Sequence, residues 1–556
     1  MHKVFSVILI VSLLLVSLPI MGCAQGPVSA TAPAPAADSA VAGEAAPEVS
    51  YPYERDLRGW MAYLEEEGLM RTVTAPVTPD GEIQEIGRQM SAIGMSLKQP
   101  ENSQAVLFTN IEGHDKTWCT QLFVGALNTT GKLCRAIGLD PSTSMPGVIN
   151  GIIETAEREP IPPVIVDAAD APVKENIIKA ENVDLYDVPV PMWHPGDEYK
   201  YINTWHAVVT KDPDTGEVNV GTYRGGIYDK NHIVSLLVKS QGWGQHFAKW
   251  QARGEDMPVA FIYGWDPAMI LVTGSPWHHP NGKSEWEWLG AIRGEAVPLV
   301  KCETVDLYVP ASAEIVIEGK GLIDTDTFVQ EAPLKEISGG YAWPTLQPQT
   351  EVTCITYRDD PIFVGSAIGT GKVFEEQKVA FALGSWALLK KFLQDTVPGV
   401  IDVTITPICA VSIDKMYQGH AYQVGCALFA HKTTHLPWKV WVVVDEGVNI
   451  YDAGAVMGAI NANSNPEEDF HIFPTHAAIV DAALSDDGVN FEEYGSALST
   501  RCLIDATVNW IRHPRSDQWD GARVAPTELA PLADFNEVQE RWEEYGFGDL
   551  PFYDIR

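Results

Sequence analysis

Two hydrophobic periods alternate along the chain, and the places where one gives way to the other mark its parts. Apolar residues recur at helical spacing in Asp56–Glu67, Trp118–Ala136 and Met145–Glu157, while Ala105–Thr109 is an apolar run of strand length. Pro160 to Pro172 is punctuated by proline and breaks the pattern. From Ile177 to Arg358 short apolar or alternating segments follow one another with turn residues between them: Thr204–Thr210, Val259–Tyr263, Met269–Thr273, Ala313–Glu318 and Glu351–Tyr357. That rhythm predicts a β-rich middle domain, interrupted by helices at Asp229–Lys239 and Gly244–Arg253. Beyond Lys378 the helical stretch Phe381–Gln394 alternates with the strand-like runs Val400–Ile405 and Lys439–Asp445, the pattern of a third, α/β domain. Asp534–Tyr545 reads as an acidic amphipathic helix.

The N-terminus has a different character. After Lys3, Val4 to Ile20 is nearly unbroken apolar sequence, about 17 residues and so at the short limit for a membrane span. It ends on Ile20-Met21-Gly22-Cys23, which resembles a bacterial lipobox with Cys23 as the residue to be lipidated. A plain signal anchor is the other reading; either one expects a membrane-attached protein whose body lies outside the cytoplasm. No twin-arginine pair precedes the apolar run to suggest export of a folded holoprotein. Ala24 to Ser50 is rich in Ala, Pro, Ser and Gly and has the composition of a flexible tether. The expected organisation is a leader over 1–23, a tether over 24–50, an N-terminal α/β domain over 51–176, the β-rich domain over 177–358, a C-terminal α/β domain over 359–530, and a helix and tail over 531–556.

Composition narrows the chemistry. The 556 residues are 46% hydrophobic, enough for a large core, and 74 acids against 38 bases give a formal charge of −36. Such a surface repels phosphate backbones and argues against nucleic-acid binding. It also repels carboxylates, so an anionic substrate requires local positive charge, which directs attention to buried arginines. The seven cysteines after Cys23 (Cys119, Cys134, Cys302, Cys354, Cys409, Cys426 and Cys502) have no CxxC spacing and signal no zinc site. Their wide spacing suits small buried hydrophobes, and no disulfide pairing follows from it. Gly365 to Lys372 fails as a phosphate loop, because its glycines are misplaced and Val373 stands where Ser or Thr would bind magnesium. His278-His279 and His431/His435 lack a patterned acidic ligand, and no GxSxG elbow occurs.

Three segments of the β-rich region bring chemistry-bearing residues together. Asn219-Val-Gly-Thr-Tyr-Arg224 sets an amide and a guanidinium five residues apart, on opposite faces of a strand or joined by a turn. Ser284-Glu285-Trp286-Glu287-Trp288 embeds a carboxylate among indoles. Glu331-Ala-Pro-Leu-Lys-Glu336, followed by Gly339-Gly340-Tyr341, spaces two carboxylates across a proline turn, which suits acid–base work if burial and an arginine separate their proton affinities. By spacing alone these glutamates also fit a solvated helix and a surface loop.

The order of further motifs resembles the UbiD family of prenylated-flavin decarboxylases, from about Val183 to Thr507. Asn219-x-x-x-x-Arg224 is similar to the family's N-x-x-x-x-R, and Ser284-Glu285 through Gly294 to its S-E-x-x-x-x-G-x-x-x-G. Val300-Lys-Cys302 followed by Val309 through Gly319, then Val443 through Ile450, then Leu503-Ile-Asp-Ala-Thr507, resemble further family segments in the same order. The resemblance implies a multidomain α+β fold whose central β-rich domain is a split-barrel-like flavin binder, flanked by the two α/β domains. It implies prenylated FMN as cofactor, Mn²⁺ or another divalent cation held by Asn219 and Glu285, and potassium as a further ion. Thr222, Tyr223, Arg224, Gln241 and Gly242 match segments that cradle the cofactor. Some members place a histidine ligand where this chain has Gly242, leaving water, or His246 one helical turn on, to complete the shell. Glu336 matches the proton donor, with Glu331 and Arg224 as its ionic partners. The implied reaction is reversible, non-oxidative loss of carbon dioxide from an aromatic or α,β-unsaturated acid through a covalent adduct with the flavin. The implied assembly is a homo-oligomer, dimer or hexamer. Two departures stand out: the family's E-G-P-x-G-[DE] is Glu331-Ala-Pro-Leu-Lys-Glu336 here, and Lys335 sits beside the acid. The alternative is a lipid-anchored, non-catalytic flavin- or aromatic-binding protein on the same scaffold.

Overall fold

The computed structural model of the chain describes residues 51–94, 102–274, 284–336, 339–367, 376–431, 438–477, 481, 483–484, 497–517, 521 and 532–552. The expected leader and tether, His278-His279, His435 and residues 368–372 of the rejected phosphate loop lie outside them.

The first helix, Leu57–Glu66, starts where the extended Asp56 accepts the N–H of Gly59 at 2.8 Å. It buries Leu57, Trp60, Met61 and Leu64. Beside it lies a four-stranded sheet in the order Met70–Val73, Ala105–Phe108, Gln121–Val124, Ile362–Val364. Its last strand arrives from beyond the central region, so this sheet is completed by distant sequence. The helix expected over Trp118–Ala136 is instead the strand Gln121–Val124 and the short helix Thr130–Ala136. The apolar run Leu122-Phe123-Val124 fits either period. Gly125, at φ +82, turns the chain, and Thr129 then caps the helix by accepting from Lys132 N at 3.1 Å.

The central sheet curls into a half-barrel. Its strand order is Val218–Gly221, His206–Lys211, Met257–Tyr263, Ile315–Gly321, Gln349–Tyr357, His232–Ser235, Gly225–Asp229, with Asn176–Lys179 also paired to Gln349–Tyr357. Four of the five strand segments expected here are strands. The fifth, Met269–Thr273, is the helix Met269–Gly274, entered through Asp266, whose carboxylate accepts Ala268 N at 3.0 Å. A short, wholly buried apolar run carries no period that separates the two structures. The helix expected over Asp229–Lys239 is a hairpin, because Asp229 accepts Asn231 N at 3.0 Å and His232 Nδ1 at 2.9 Å and so builds its own turn. The helix Gly242–Arg253 forms close to its expected place and ends at Gly254, at φ +73.

The C-terminal sheet runs Val400–Thr404, Ala410–Ile413, Val440–Asp445, Ala497–Asp505, Phe470–Ala477. The long helix Glu376–Thr396 packs on its first strand and on the helices Met145–Glu157 and Met269–Gly274. One apolar cluster therefore runs from Trp60 through Trp288 to Trp386 and Trp441, and a second fills the half-barrel around Trp193, Tyr201 and Tyr263. All seven cysteines after Cys23 are free thiols, and Cys119, Cys134, Cys302 and Cys354 are buried.

The N-terminal sheet and the long helix meet through a buried carboxylate. Glu376 accepts Leu127 N at 2.7 Å and Gly125 N at 3.1 Å, and the buried Lys132 lies nearby, bonded to Asn128 Oδ1 at 2.7 Å. Burial pushes the Glu376 carboxyl up to about 7 and the Lys132 ammonium down to about 7. Because the folded value for Glu376 exceeds its ordinary 4.5, its contribution to stability is complete below that pH and is lost as pH rises through about 7. Melting temperatures of wild type and Glu376→Gln, measured from about pH 5 to about pH 7.5, are therefore expected to shift in the variant's favour as pH rises. A shift the other way would contradict the assignment.

Candidate active site

Arg224 stands between two strands of the half-barrel, Val218–Gly221 and Gly225–Asp229, and its carbonyl accepts Leu236 N at 3.2 Å. Its side chain is buried and enters an ionic cluster. Nε meets Glu331 Oε1 at 2.9 Å and Nη2 meets Glu331 Oε2 at 2.6 Å, a two-pronged pairing, while Nη1 donates to Glu336 Oε1. Burial opposes the charge, but Glu331 and Glu336 outweigh it and push the guanidinium's pKa up. Tyr201 donates to Glu331 Oε1 at 3.1 Å; burial and the Glu331 charge push its phenol pKa up, so it remains an O–H donor.

The two glutamates reach one arginine because the chain reverses between them. Glu331 ends the strand Val329–Glu331, and Ala332 follows with φ +79, a left-handed conformation strained for any residue with a Cβ. The family pattern has glycine there. Glu336 is held in the turn by its N–H to Gly340 O at 2.8 Å and by Gly339 N to its carbonyl at 2.8 Å. Lys335 gives its backbone N–H to Asp197 Oδ1 at 3.0 Å.

A second set of residues gathers on the preceding strand. The side-chain amide of Asn219 and the hydroxyl of Tyr223 are 3.2 Å apart, and Tyr223 stacks on Trp243 with ring centroids 5.1 Å apart. Burial pushes the Tyr223 phenol up to about 12. Glu285, first residue of the helix Glu285–Arg293, is buried, and its Oε2 accepts Val220 N at 3.2 Å, which sets its carboxylate beside Asn219. Gln241, in extended conformation, immediately precedes the helix Gly242–Arg253 and makes no capping bond with its side chain. A Cβ on Gly242 would come 2.1 Å from Asn219 Oδ1, so this position faces the amide and has room only for glycine as the side chains stand. His246 Nδ1 and Thr210 Oγ1 share a hydrogen bond of 2.9 Å, and Thr210 is the strand partner of Asn219. Thr222 Oγ1 bonds Thr273 Oγ1 at 2.8 Å.

These residues fit a divalent cation and a flavin phosphate. Asn219 and Glu285 offer hard oxygen donors, and Gly242 leaves the amide open. Among the described residues no three His, Cys, Asp or Glu side chains converge, so the remaining ligands would be water and phosphate oxygens. The buried indole Nε1 of Trp243, stacked on Tyr223, has no hydrogen-bond partner among the described residues and supplies a donor at the same place.

The fold and this cluster define a class: a three-part α+β scaffold whose central half-barrel sets a buried arginine against two glutamates beside an oxygen-rich ligand set. Comparison with known proteins names it. Models of 3-octaprenyl-4-hydroxybenzoate carboxy-lyase match in chain order, the N-terminal domain over residues 61–150, the Rift-related domain over 164–372 and the C-terminal domain over 381–506. The chain belongs to the UbiD family, and it is homologous to known decarboxylases. Ferulic acid decarboxylase 1 of Saccharomyces cerevisiae is 34% identical over 318 residues, 55% of this chain and 61% of that protein. An uncharacterized protein of Synechocystis is 29% identical over 526 residues, 90% of this chain and 98% of its own. The closed form of vanillic acid decarboxylase from Sedimentibacter hydroxybenzoicus superposes with a TM-score of 0.76 at 27% identity, over 88% of this chain and 99% of that one. An evolved dimeric form of the UbiD-class enzyme HmfF from Pelotomaculum thermopropionicum, in complex with prenylated FMN, gives 0.65 at 27% identity, over 86% and 100%.

Sequence reading missed Tyr201, Asp197 and His194, which lie in an aperiodic stretch after Trp193. The one local signal is the Pro195-Gly196 turn flanked by His194 and Asp197.

Removing Arg224 leaves two buried carboxylates facing each other without a cation. Arg224→Met is expected to lower stability by about 3–5 kcal/mol, and Arg224→Met combined with Glu331→Gln by less than that, as read from denaturant unfolding. A loss below about 1 kcal/mol in the single variant would contradict the pairing.

Proposed function

We propose that the protein catalyses reversible, non-oxidative decarboxylation of an aromatic or α,β-unsaturated carboxylic acid with prenylated FMN as cofactor. The observation that carries this reading is the buried Arg224–Glu331–Glu336 cluster on a UbiD scaffold. Prenylated FMN, when bound, supplies the electron sink for departure of carbon dioxide. The chain's own residues do the rest. Asn219 and Glu285 would hold a divalent cation against the flavin phosphate, with Thr222, Tyr223, Gln241 and Gly242 around it.

Arg224 spends three N–H groups on the glutamates; of the five a guanidinium carries, the other two can bind a substrate carboxylate despite the chain's negative field. Both oxygens of Glu331 are engaged by Arg224, and Tyr201 adds a third bond, which commits Glu331 to orienting the arginine. Glu336 meets Arg224 through Nη1 and lies on a turn, and it is the carboxyl we assign to carry a proton to the carbon that lost carbon dioxide. The likeness to ferulic and vanillic acid decarboxylases supports an aromatic or α,β-unsaturated acid as substrate. The dimeric HmfF form supports assembly as a homo-oligomer.

Protein loaded with prenylated FMN is expected to release carbon dioxide from such acids. Glu336→Gln is expected to cut turnover by about 10²-fold or more while binding flavin as wild type does, and chelation of divalent metal to release the flavin. Flavin bound with metal but no acid turned over would favour the non-catalytic reading.

We also infer attachment to the outer side of a membrane through Cys23. Mass spectrometry of the mature N-terminus is expected to find a lipid-modified Cys23. An unprocessed Met1 would refute it.

A further inference from the structure

Glu336 lies on a turn between strands, so its carboxyl is placed only as accurately as that turn is held. The segment His194–Tyr201 lies against the turn and grips it at successive points. Tyr199 Oη donates to Gln330 O at 2.6 Å and Tyr201 Oη to Glu331 Oε1 at 3.1 Å. Glu198 N donates to Pro333 O at 2.9 Å, and Asp197 Oδ1 accepts Lys335 N at 3.0 Å, one residue before the acid. The ring of Tyr341 lies against Gly196, where a Cβ would come 2.6 Å from its hydroxyl. The segment is itself anchored. Trp193 Nε1 donates to Tyr201 O at 2.9 Å, and Lys200 bridges to Ile227 of the half-barrel.

Asp197 is the hinge pin of this arrangement. It is buried, and its second oxygen is fixed by His194 through both the backbone N–H, at 3.0 Å, and Nδ1, at 3.1 Å. One carboxylate thus joins His194 on its own loop to the backbone beside Glu336 on the other. The Nε2 of His194 is buried without a partner among the described residues, so the imidazole's hydrogen bonding is directed at Asp197.

We propose that Asp197, held by His194, is a positioning residue for Glu336: it fixes the turn that presents the proton donor and touches no substrate. This rests on reading Glu336 as that donor. The chemistry requires an acceptor for Lys335 N–H on one oxygen and an acceptor for two His194 donors on the other. Asparagine supplies the first, and alanine supplies neither.

The test has two readouts on the same full-length variants. Amide exchange of residues 332–336, measured without ligand, is expected to speed up about tenfold or more in Asp197→Ala, with residues 219–221 unchanged, and to return toward wild type in Asp197→Asn. In protein loaded with prenylated FMN and offered ferulic or vanillic acid, kcat is expected to fall about 10- to 100-fold in Asp197→Ala with KM within about twofold, and to be largely restored in Asp197→Asn. Unchanged exchange at 332–336, or kcat within about twofold of wild type, would overturn the proposal. Should Asp197→Ala not fold, Tyr199→Phe removes the hold on Gln330 and is read the same way: faster exchange with lower kcat supports the proposal, and no change in either overturns it. If wild type turns over neither acid, the functional reading fails on that result, while the exchange arm still decides whether Asp197 holds the turn.

Discussion

The structure is organised around keeping one arginine charged inside a half-barrel. A buried guanidinium is costly unless opposite charges and hydrogen bonds surround it. Here Glu331 meets it on two prongs, Glu336 on a third, and Tyr201 fills the remaining demand on Glu331. These partners are remote in sequence: Glu331 and Glu336, on one turn, lie 107 and 112 residues from Arg224, and Tyr201 lies 130 residues from Glu331. The curled sheet, the reversal at Ala332 and the segment His194–Tyr201 all serve to bring them together. In a chain with a formal charge of −36, this places a fixed, donor-rich guanidinium inside the half-barrel.

What the sequence revealed, and what it hid, follows from the range of the interactions. Elements with a sustained period were legible: the helices Leu57–Glu66 and Met145–Glu157, the long helix Glu376–Thr396 and the strands Met257–Tyr263 and Val440–Asp445 lie where the pattern put them. Short apolar runs were not, since Leu122-Phe123-Val124 and Met269–Thr273 carry too few residues for a period, and local caps and turns decided them. Arg224, Glu331 and Glu336 were weak by spacing, and became legible through ordered motifs on both sides of them. The geometry brings all three together, and it gathers Asn219 and Tyr223 with Gly242 and Glu285, the first residues of two helices, in a second group. The grip of His194–Tyr201 on the turn was invisible, because the Asp197–Lys335 bond spans 138 residues and follows no periodicity.

The departures from the family pattern at residues 242, 332 and 335 acquire physical content. Alanine in place of glycine at 332 is accommodated in a left-handed conformation, strain that the surrounding bonds must hold. Glycine at 242 stands so close to Asn219 Oδ1 that a Cβ there would come within 2.1 Å of it, which is a physical reason for glycine at this position. His246, already bonded to Thr210, is oriented by the strand partner of Asn219. Lys335 contributes a backbone N–H to Asp197, and so takes part in holding the turn beside the acid.

The central claim is that this cluster makes and breaks the bond between carbon dioxide and an unsaturated carbon. Isotope exchange tests it most directly, because it needs no net turnover. Protein loaded with prenylated FMN and metal, incubated with ferulic or vanillic acid and carbon-13 bicarbonate, is expected to move the label into the acid's carboxyl group, and Glu336→Gln is expected not to. Absence of label from the acid in wild type, with flavin and metal shown to be bound, would contradict the account.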